Sequence, residues 1–295
     1  MILKGCFVAL ITPFNNNGNI DEQSLRDHID FLLSQGVAGI VPCGTTGESA
    51  TLSWEEHNKV VDITLDQTKK RGIVIAGAGS NNTAESITAA EHAYRNGADA
   101  ILCITPYYNK PTQEGLYQHF RNIAKKVAIP IVLYNVPGRT GVNLSPETIE
   151  RLCEFSNIIA VKEASGDIAQ VTEIHRRCGE RIAILSGDDA LTLPFLSVGA
   201  QGVISVVANI IPQKMVSLIK NFEASNIIQA LQIHEYLFPL CQAMFYETNP
   251  VPVKTAMNLI GKIGKTLRLP LVSMENKNKQ RLISVLQEYN FSIRE

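Results

Sequence analysis

A (β/α)8 TIM barrel with a C-terminal helical extension is the fold class that this sequence of 295 residues predicts. Three observations carry the prediction. Eight short runs rich in β-branched residues alternate with segments of helical periodicity. The runs are almost continuously apolar, as parallel strands covered by helices are. No glycine-rich turn follows the first run, which disfavours the alternative, a doubly wound sheet.

The elements follow in order. The strand runs are 6–12, 39–44, 73–79, 100–105, 131–136, 158–163, 182–186 and 202–207. After the first, Leu25, Ile29 and Leu32 share one helical face, and Gly36 lies where that helix should stop. Ser53-Trp54-Glu55-Glu56 is a capping box: the Ser53 hydroxyl can accept from the third helical amide while Glu56 reaches back. Gly72 and Gly97 are the expected stops of the second and third helices. Leu116, Phe120, Ile123 and Val127 give the fourth helix its apolar face. Ser145-Pro146 places proline at the first helical position, where no amide donor is missed. Asp167 with Gln170 is another start, and Gly179 its stop. Residues 225–295 have no strong strand run and are punctuated by Pro250, Pro252 and Pro270. The expected division is therefore 1–224, a barrel with the catalytic site, and 225–295, a helical extension.

Composition narrows function. Apolar residues are 45% and charged residues 19%, which excludes wholesale disorder. Basic and acidic side chains number 27 and 28, so there is no global electrostatic case for nucleic acid or an anionic membrane. No apolar run is long enough to span a bilayer. The opening stretch ends at Thr12-Pro13 without a small-residue cleavage site and reads as a first strand, not a signal peptide. The six cysteines form no C-x-x-C pair and the six histidines no ligand cluster, so no metal is expected and a cytoplasmic location is.

In such a barrel the active site lies at the C-terminal ends of the strands. Lys162 ends the sixth strand within Ile-Ile-Ala-Val-Lys-Glu. A lysine among buried β-branched residues is costly unless paired or neutral, and a neutral amine attacks carbonyls. It is either a Schiff-base nucleophile or half of an interior ion pair with Glu163. Gly44-Thr45-Thr46-Gly47-Glu48 follows the second strand and can offer hydroxyls and amides to a small ligand, or simply cap the next helix. Tyr134 ends the fifth strand, as a proton shuttle or a core aromatic. Arg139 lies just beyond and can fork onto a carboxylate or face solvent. Tyr107-Tyr108 follow the fourth strand, and Gly187-Asp188 the seventh. Glu48 and Asp188 could be paired for two-carboxylate chemistry, but neither has independent support, and Asp188-Asp189 equally suits a helix start. Gly264-Lys265-Thr266 lacks the glycine and strand of a phosphate loop, and the basic residues from Lys262 to Arg281 read as a solvated helical face.

Taken together, Gly44-Thr45-Thr46-Gly47-Glu48, Tyr134-Asn135-Val136-Pro137-Gly138-Arg139-Thr140 and Val161-Lys162-Glu163 closely resemble the dihydrodipicolinate synthase / N-acetylneuraminate lyase family over the whole chain. Arg139 and Pro106-Tyr107-Tyr108-Asn109-Lys110-Pro111 resemble the synthase branch, since sialic-acid lyases usually lack that arginine. The resemblance implies a Schiff base between Lys162 and pyruvate and condensation with aspartate semialdehyde, in lysine and diaminopimelate biosynthesis, with no cofactor. It implies that Thr45, Thr46, Gly187 and the main chain near Ile204 hold pyruvate, and that Arg139 holds the aldehyde's carboxylate. It assigns a proton relay to Tyr134, Thr45 and Tyr108, the last from a neighbouring copy, and hence a homo-oligomer, usually a tetramer built as a dimer of dimers. A feedback site for lysine would fall at Ser49, Ala50, Trp54, His57, Asn81, Glu85 and Tyr107. Trp54 departs from the histidine that lysine-sensitive relatives often carry, so weak or absent inhibition is expected. Two competing functions are an aldolase of sugar acids, which would want hydroxyl partners instead of an arginine clamp, and a non-catalytic barrel, which would not need Lys162 or Tyr134.

Overall fold

The computed structural model describes residues 3–294. Eight parallel strands close into a barrel in chain order: β1 Gly5–Ala9, β2 Gly39–Val41, β3 Ile73–Gly77, β4 Ala100–Ile104, β5 Ile131–Asn135, β6 Ile158–Glu163, β7 Ala183–Ser186 and β8 Gly202–Ser205. Closure is direct, with Phe7 of β1 beside Ile204 of β8. The helices are α1 Glu22–Ser34, α2 Trp54–Thr68, α3 Thr83–Arg95, α4 Gln113–Lys126, α5 Pro137–Thr140, α6 Pro146–Leu152, α7 Ile168–Cys178, α8 Thr192–Ser197 and α9 Pro212–Glu223 around the barrel. Then come α10 Ile227–Ala243, α11 Val251–Leu259 and α12 Asn276–Glu288. No described helix is long and apolar enough to cross a membrane.

Strand alternation sorts the side chains. Phe7, Val41, Ile75, Leu102, Val132, Ala160, Leu185 and Ile204 fill the barrel interior. Their neighbours Cys6, Val8, Ile40, Ile101, Leu133, Val161, Ile184 and Val203 pack outward against the helices. The same period sends Tyr134 and Lys162 inward at the barrel mouth, where they are register partners, and Glu163 outward. The six cysteines are free thiols, five of them buried, and burial pushes Cys43 and Cys103 above the usual thiol range.

Local signals act as their chemistry requires. The Ser53 capping box is complete, with Glu56 N donating to Ser53 Oγ at 3.2 Å and Ser53 N to Glu56 Oε2 at 3.0 Å. Ser145 accepts from Thr148 N ahead of Pro146, and Asp167 from Ala169 N and Gln170 N. Gly72 is not the stop of α2. The helix ends earlier, where Lys69 turns left-handed at φ 46°, and Gly72 instead lies against Leu33. Several strand runs lose their last residues to the turns that follow, which is where the site is built.

Candidate active site

The β2–α2 loop is strained and clamped. Cys43 and Glu48, both non-glycine, hold φ near +55° on either side of Gly44-Thr45-Thr46-Gly47. Thr12 Oγ1 donates to Gly47 O at 2.7 Å, and a Cβ on Gly47 would meet Leu10 O at 3.0 Å. Thr46 is buried and Thr45 half-buried. Glu48 is fully buried and paired with Lys254 of α11, so it belongs to the scaffold and not to a two-carboxylate site. Lys254 Nζ also stands 4.2 Å from the Phe14 ring.

Lys162 is 6% exposed. Its neighbour Glu163 does not pair with it, which corrects the interior ion-pair alternative. The Glu163 carboxylate faces away and accepts from Ser165 N at 2.7 Å, Asn135 Nδ2 at 3.0 Å and Gln170 Nε2 at 3.0 Å. No carboxylate of the described residues lies within ion-pair reach of Lys162; its amine stands 4.3 Å from the Tyr134 ring centre. Gly187 makes the room, because a Cβ there would come within 3.1 Å of Lys162 Cε and 2.6 Å of Ala164 Cβ. Ile204 is buried on the adjoining strand β8.

Arg139 rides on the one-turn helix α5, with Pro137 at its first position. It is exposed, and one guanidinium nitrogen donates to Asn249 O at 3.1 Å. Asn249 in turn donates from Nδ2 to Thr46 Oγ1 at 3.0 Å. In the sequence Pro250 reads as punctuation and Asn249 is not singled out, so this link was missed. Arg268 was also misplaced. It lies on no helical face but binds Glu56, Gly18 O and Thr51 O, and this pairing holds the Glu56 carboxyl down at about 2.

A cavity of about 680 Å³ opens at the barrel mouth. Thr45, Tyr134, Arg139 and Asn249 line one part, and Ser49, Ala50, Trp54, His57, Glu85 and Tyr107 another. Lys162, Thr46, Gly187 and Ile204 are not among the residues that line it. Asn81 is also outside it and instead ties down the β4–α4 loop, donating to Tyr107 O at 3.1 Å. Tyr108 is not brought to the cavity: it is 88% exposed, at φ 72°. His57 is buried against the edge of Trp54, ring centres 5.2 Å apart, and burial lowers its proton affinity. Glu85 accepts from Ser80 Oγ at 2.6 Å.

The two aspartates after β7 serve structure. Asp188 accepts from Ala190 N at 2.9 Å, as a turn cap does. Asp189 is buried and accepts from Val206 N and Val207 N, both at 2.9 Å; burial raises its carboxyl to about 6. Among the described residues there is no group of three or more His, Cys, Asp or Glu side chains able to hold a metal ion.

Residues 2–289 match the model of the dihydrodipicolinate synthetase family. A 4-hydroxy-tetrahydrodipicolinate synthase of Syntrophus aciditrophicus is 52% identical over 98% of this chain and 99% of its own length. The dihydrodipicolinate synthase of Aquifex aeolicus superposes with a TM-score of 0.97 at 44% identity, covering 99% of this chain and 100% of that one. The chloride-inhibited synthase of Acinetobacter baumannii, solved with pyruvate, gives 0.96 at 41% identity over 98% and 99%. The synthase of Cyanidioschyzon merolae, solved with lysine bound, gives 0.95 at 39% identity over 98% of each chain. A buried lysine beside a tyrosine at the mouth of a closed eight-stranded barrel thus comes with full-length likeness in sequence and in shape, and the chain belongs to the dihydrodipicolinate synthetase family.

Proposed function

We propose that this chain is a lyase condensing pyruvate with L-aspartate 4-semialdehyde to 4-hydroxy-tetrahydrodipicolinate, in lysine and diaminopimelate biosynthesis. The observation that carries the reading is Lys162: a buried amine at the barrel mouth with no carboxylate partner among the described residues. The amine adds to the pyruvate ketone and loses water to form an imine. Loss of a methyl proton gives an enamine, whose carbon attacks the aldehyde. The substrate's own amine then closes the ring and releases the lysine. A protonated imine is the electron sink, so the chemistry needs no cofactor.

Thr45 and Thr46 hold the pyruvate carboxylate, helped by the main chain near Ile204, while Gly187 keeps space beside the lysine. Arg139 takes the aldehyde's carboxylate; no carboxylate of the described residues lies within ion-pair reach of its guanidinium. Tyr134, Thr45 and the partner subunit's Tyr108 carry protons. The exposure of Tyr108 in one copy supports its service in another, and with it a homo-oligomer, a tetramer of two dimers. The reaction belongs in the cytoplasm, beside the rest of amino-acid synthesis.

Ser49, Ala50, Trp54, His57, Glu85 and Tyr107, with Asn81 holding the Tyr107 main chain from outside the cavity, form a lysine site weakened by Trp54, whose indole offers one donor and no acceptor to an amino acid. Trp54→His should strengthen lysine binding, read by calorimetry on pyruvate-saturated protein; micromolar binding by the wild type would defeat this part.

The test of the whole is a coupled assay in which a dipicolinate-forming reductase consumes NADPH. Turnover of pyruvate and aspartate semialdehyde that vanishes in Lys162→Ala supports the reading. Folded wild type that turns over only sugar-acid aldol substrates would replace it.

A further inference from the structure

We propose that Asn249 is a positioning residue for both substrate carboxylates, a role that rests on the condensation reading above. Its two ends reach two different anchors. The side-chain amide donates to Thr46 Oγ1 at 3.0 Å, and the main-chain oxygen accepts from Arg139 at 3.1 Å. Both residues of the first contact are buried, Asn249 at 5% exposure and Thr46 at 3%.

The direction of the first bond matters. A threonine hydroxyl has one proton to give and two lone pairs. With Asn249 Nδ2 on a lone pair, the Thr46 proton is left for an acceptor. The acceptor at this position is the carboxylate of the bound ketoacid. Asn249 therefore sets Thr46 as a donor before substrate arrives. The second bond uses one N–H of Arg139 and fixes the guanidinium's place at the cavity wall, leaving its other donors for the aldehyde's carboxylate. Among the described residues Asn249 Oδ1 is buried with no hydrogen-bond partner, and Thr46 is the side-chain hydrogen-bond partner that orients the amide. The residue is itself carried into place by α11, whose Lys254 is bound to Glu48, two residues beyond Thr46. One short segment thus spaces the two anion-binding groups relative to each other.

The test is a double-mutant cycle on the full chain, reading the pyruvate KM in the coupled assay and, separately, half-saturation of the borohydride-trapped pyruvate adduct. Asn249→Ala should raise the pyruvate KM about five- to tenfold with a smaller change in kcat. Thr46→Val should do the same, and the double variant should be no worse than Thr46→Val alone. Asn249→Asp, nearly isosteric, should be worse than Asn249→Ala. Its carboxylate can only accept, so it turns the Thr46 proton away and repels the substrate. Circular dichroism and thermal melting identify folded variants, and Asn249→Asp serves if the alanine form does not fold. Additive effects of the two substitutions, or an unchanged pyruvate KM in a folded Asn249 variant, would overturn the proposal. Wild type that traps pyruvate but does not turn over the semialdehyde would reject that half of the condensation reading and still let the adduct report on Asn249. Wild type that traps no pyruvate would reject the condensation reading itself, and this role with it.

Discussion

Lys162 and Lys254 are both lysines buried in the same part of the molecule, 6% and 2% exposed, yet their surroundings differ in kind. Lys254 has Glu48 on its amine and the Phe14 ring beneath it. Burial lowers its proton affinity while Glu48 opposes that loss. Its charge is matched, so it fastens the β2–α2 loop to α11. Lys162 has an aromatic ring for a neighbour and no carboxylate among the described residues. Burial alone therefore assigns no role to a lysine. What decides is whether the opposite charge is already present or must arrive with a substrate.

That contrast is open to direct attack. Lys162→Ala should cut turnover more than ~10³-fold, since it removes the proposed nucleophile, yet keep the fold and melting temperature. A mutant that melts far below wild type would make Lys162 as structural as Lys254. Lys254→Met should do the reverse and cost about 3–5 kcal/mol of stability by leaving Glu48 buried and unpaired. Adding Glu48→Gln should return most of that loss in denaturant titrations, and a fully additive double variant would break the pairing argument. Tyr134→Phe should lower kcat about 10²-fold with stability nearly kept, as expected for a proton shuttle. Unchanged kcat would leave the ring as packing for Lys162.

The smallest effect is on acid stability. Glu56 is held at about 2 by Arg268, so its contribution is present above the usual carboxylate range and is lost as pH falls toward 2. Buried His28 and His119 are lowered to about 4, so their stability loss comes earlier, as pH falls from about 6.5 to 4. Urea midpoints for Glu56→Gln should therefore match the wild-type pH slope above pH ~4.5 and flatten below it. Equal slopes below that point would remove Arg268 as a clamp.

The barrel was legible because hydrophobic period and capping chemistry act locally. Ser53, Ser145 and Asp167 announce helix starts within four residues of chain. The inward placement of Tyr134 and Lys162 follows from the strand period, once Lys162 is seen to end a run. What the sequence hid was long-range pairing. Glu163 looked like a partner for Lys162 because it is adjacent, but adjacent strand residues face opposite ways. Asn249, Lys254 and Arg268 carried no periodic or motif signal, since their partners Thr46, Glu48 and Glu56 lie about two hundred positions earlier. Gly72 misled for a simpler reason: Lys69 can take the left-handed turn itself, and glycine was needed nearby for close packing instead.

The late position of those three residues has a consequence for synthesis on the ribosome. All eight strands have been made once Ser205 has left the exit tunnel, and Lys162 with them. Asn249, Lys254 and Arg268, which brace the β2–α2 loop from late in the chain, are still to come. A nascent chain at that point carries Lys162, Thr46 and Arg139 but not Asn249, which binds the last two in the finished fold. The geometry of the barrel mouth is thus completed only by the last stretch of chain to be made.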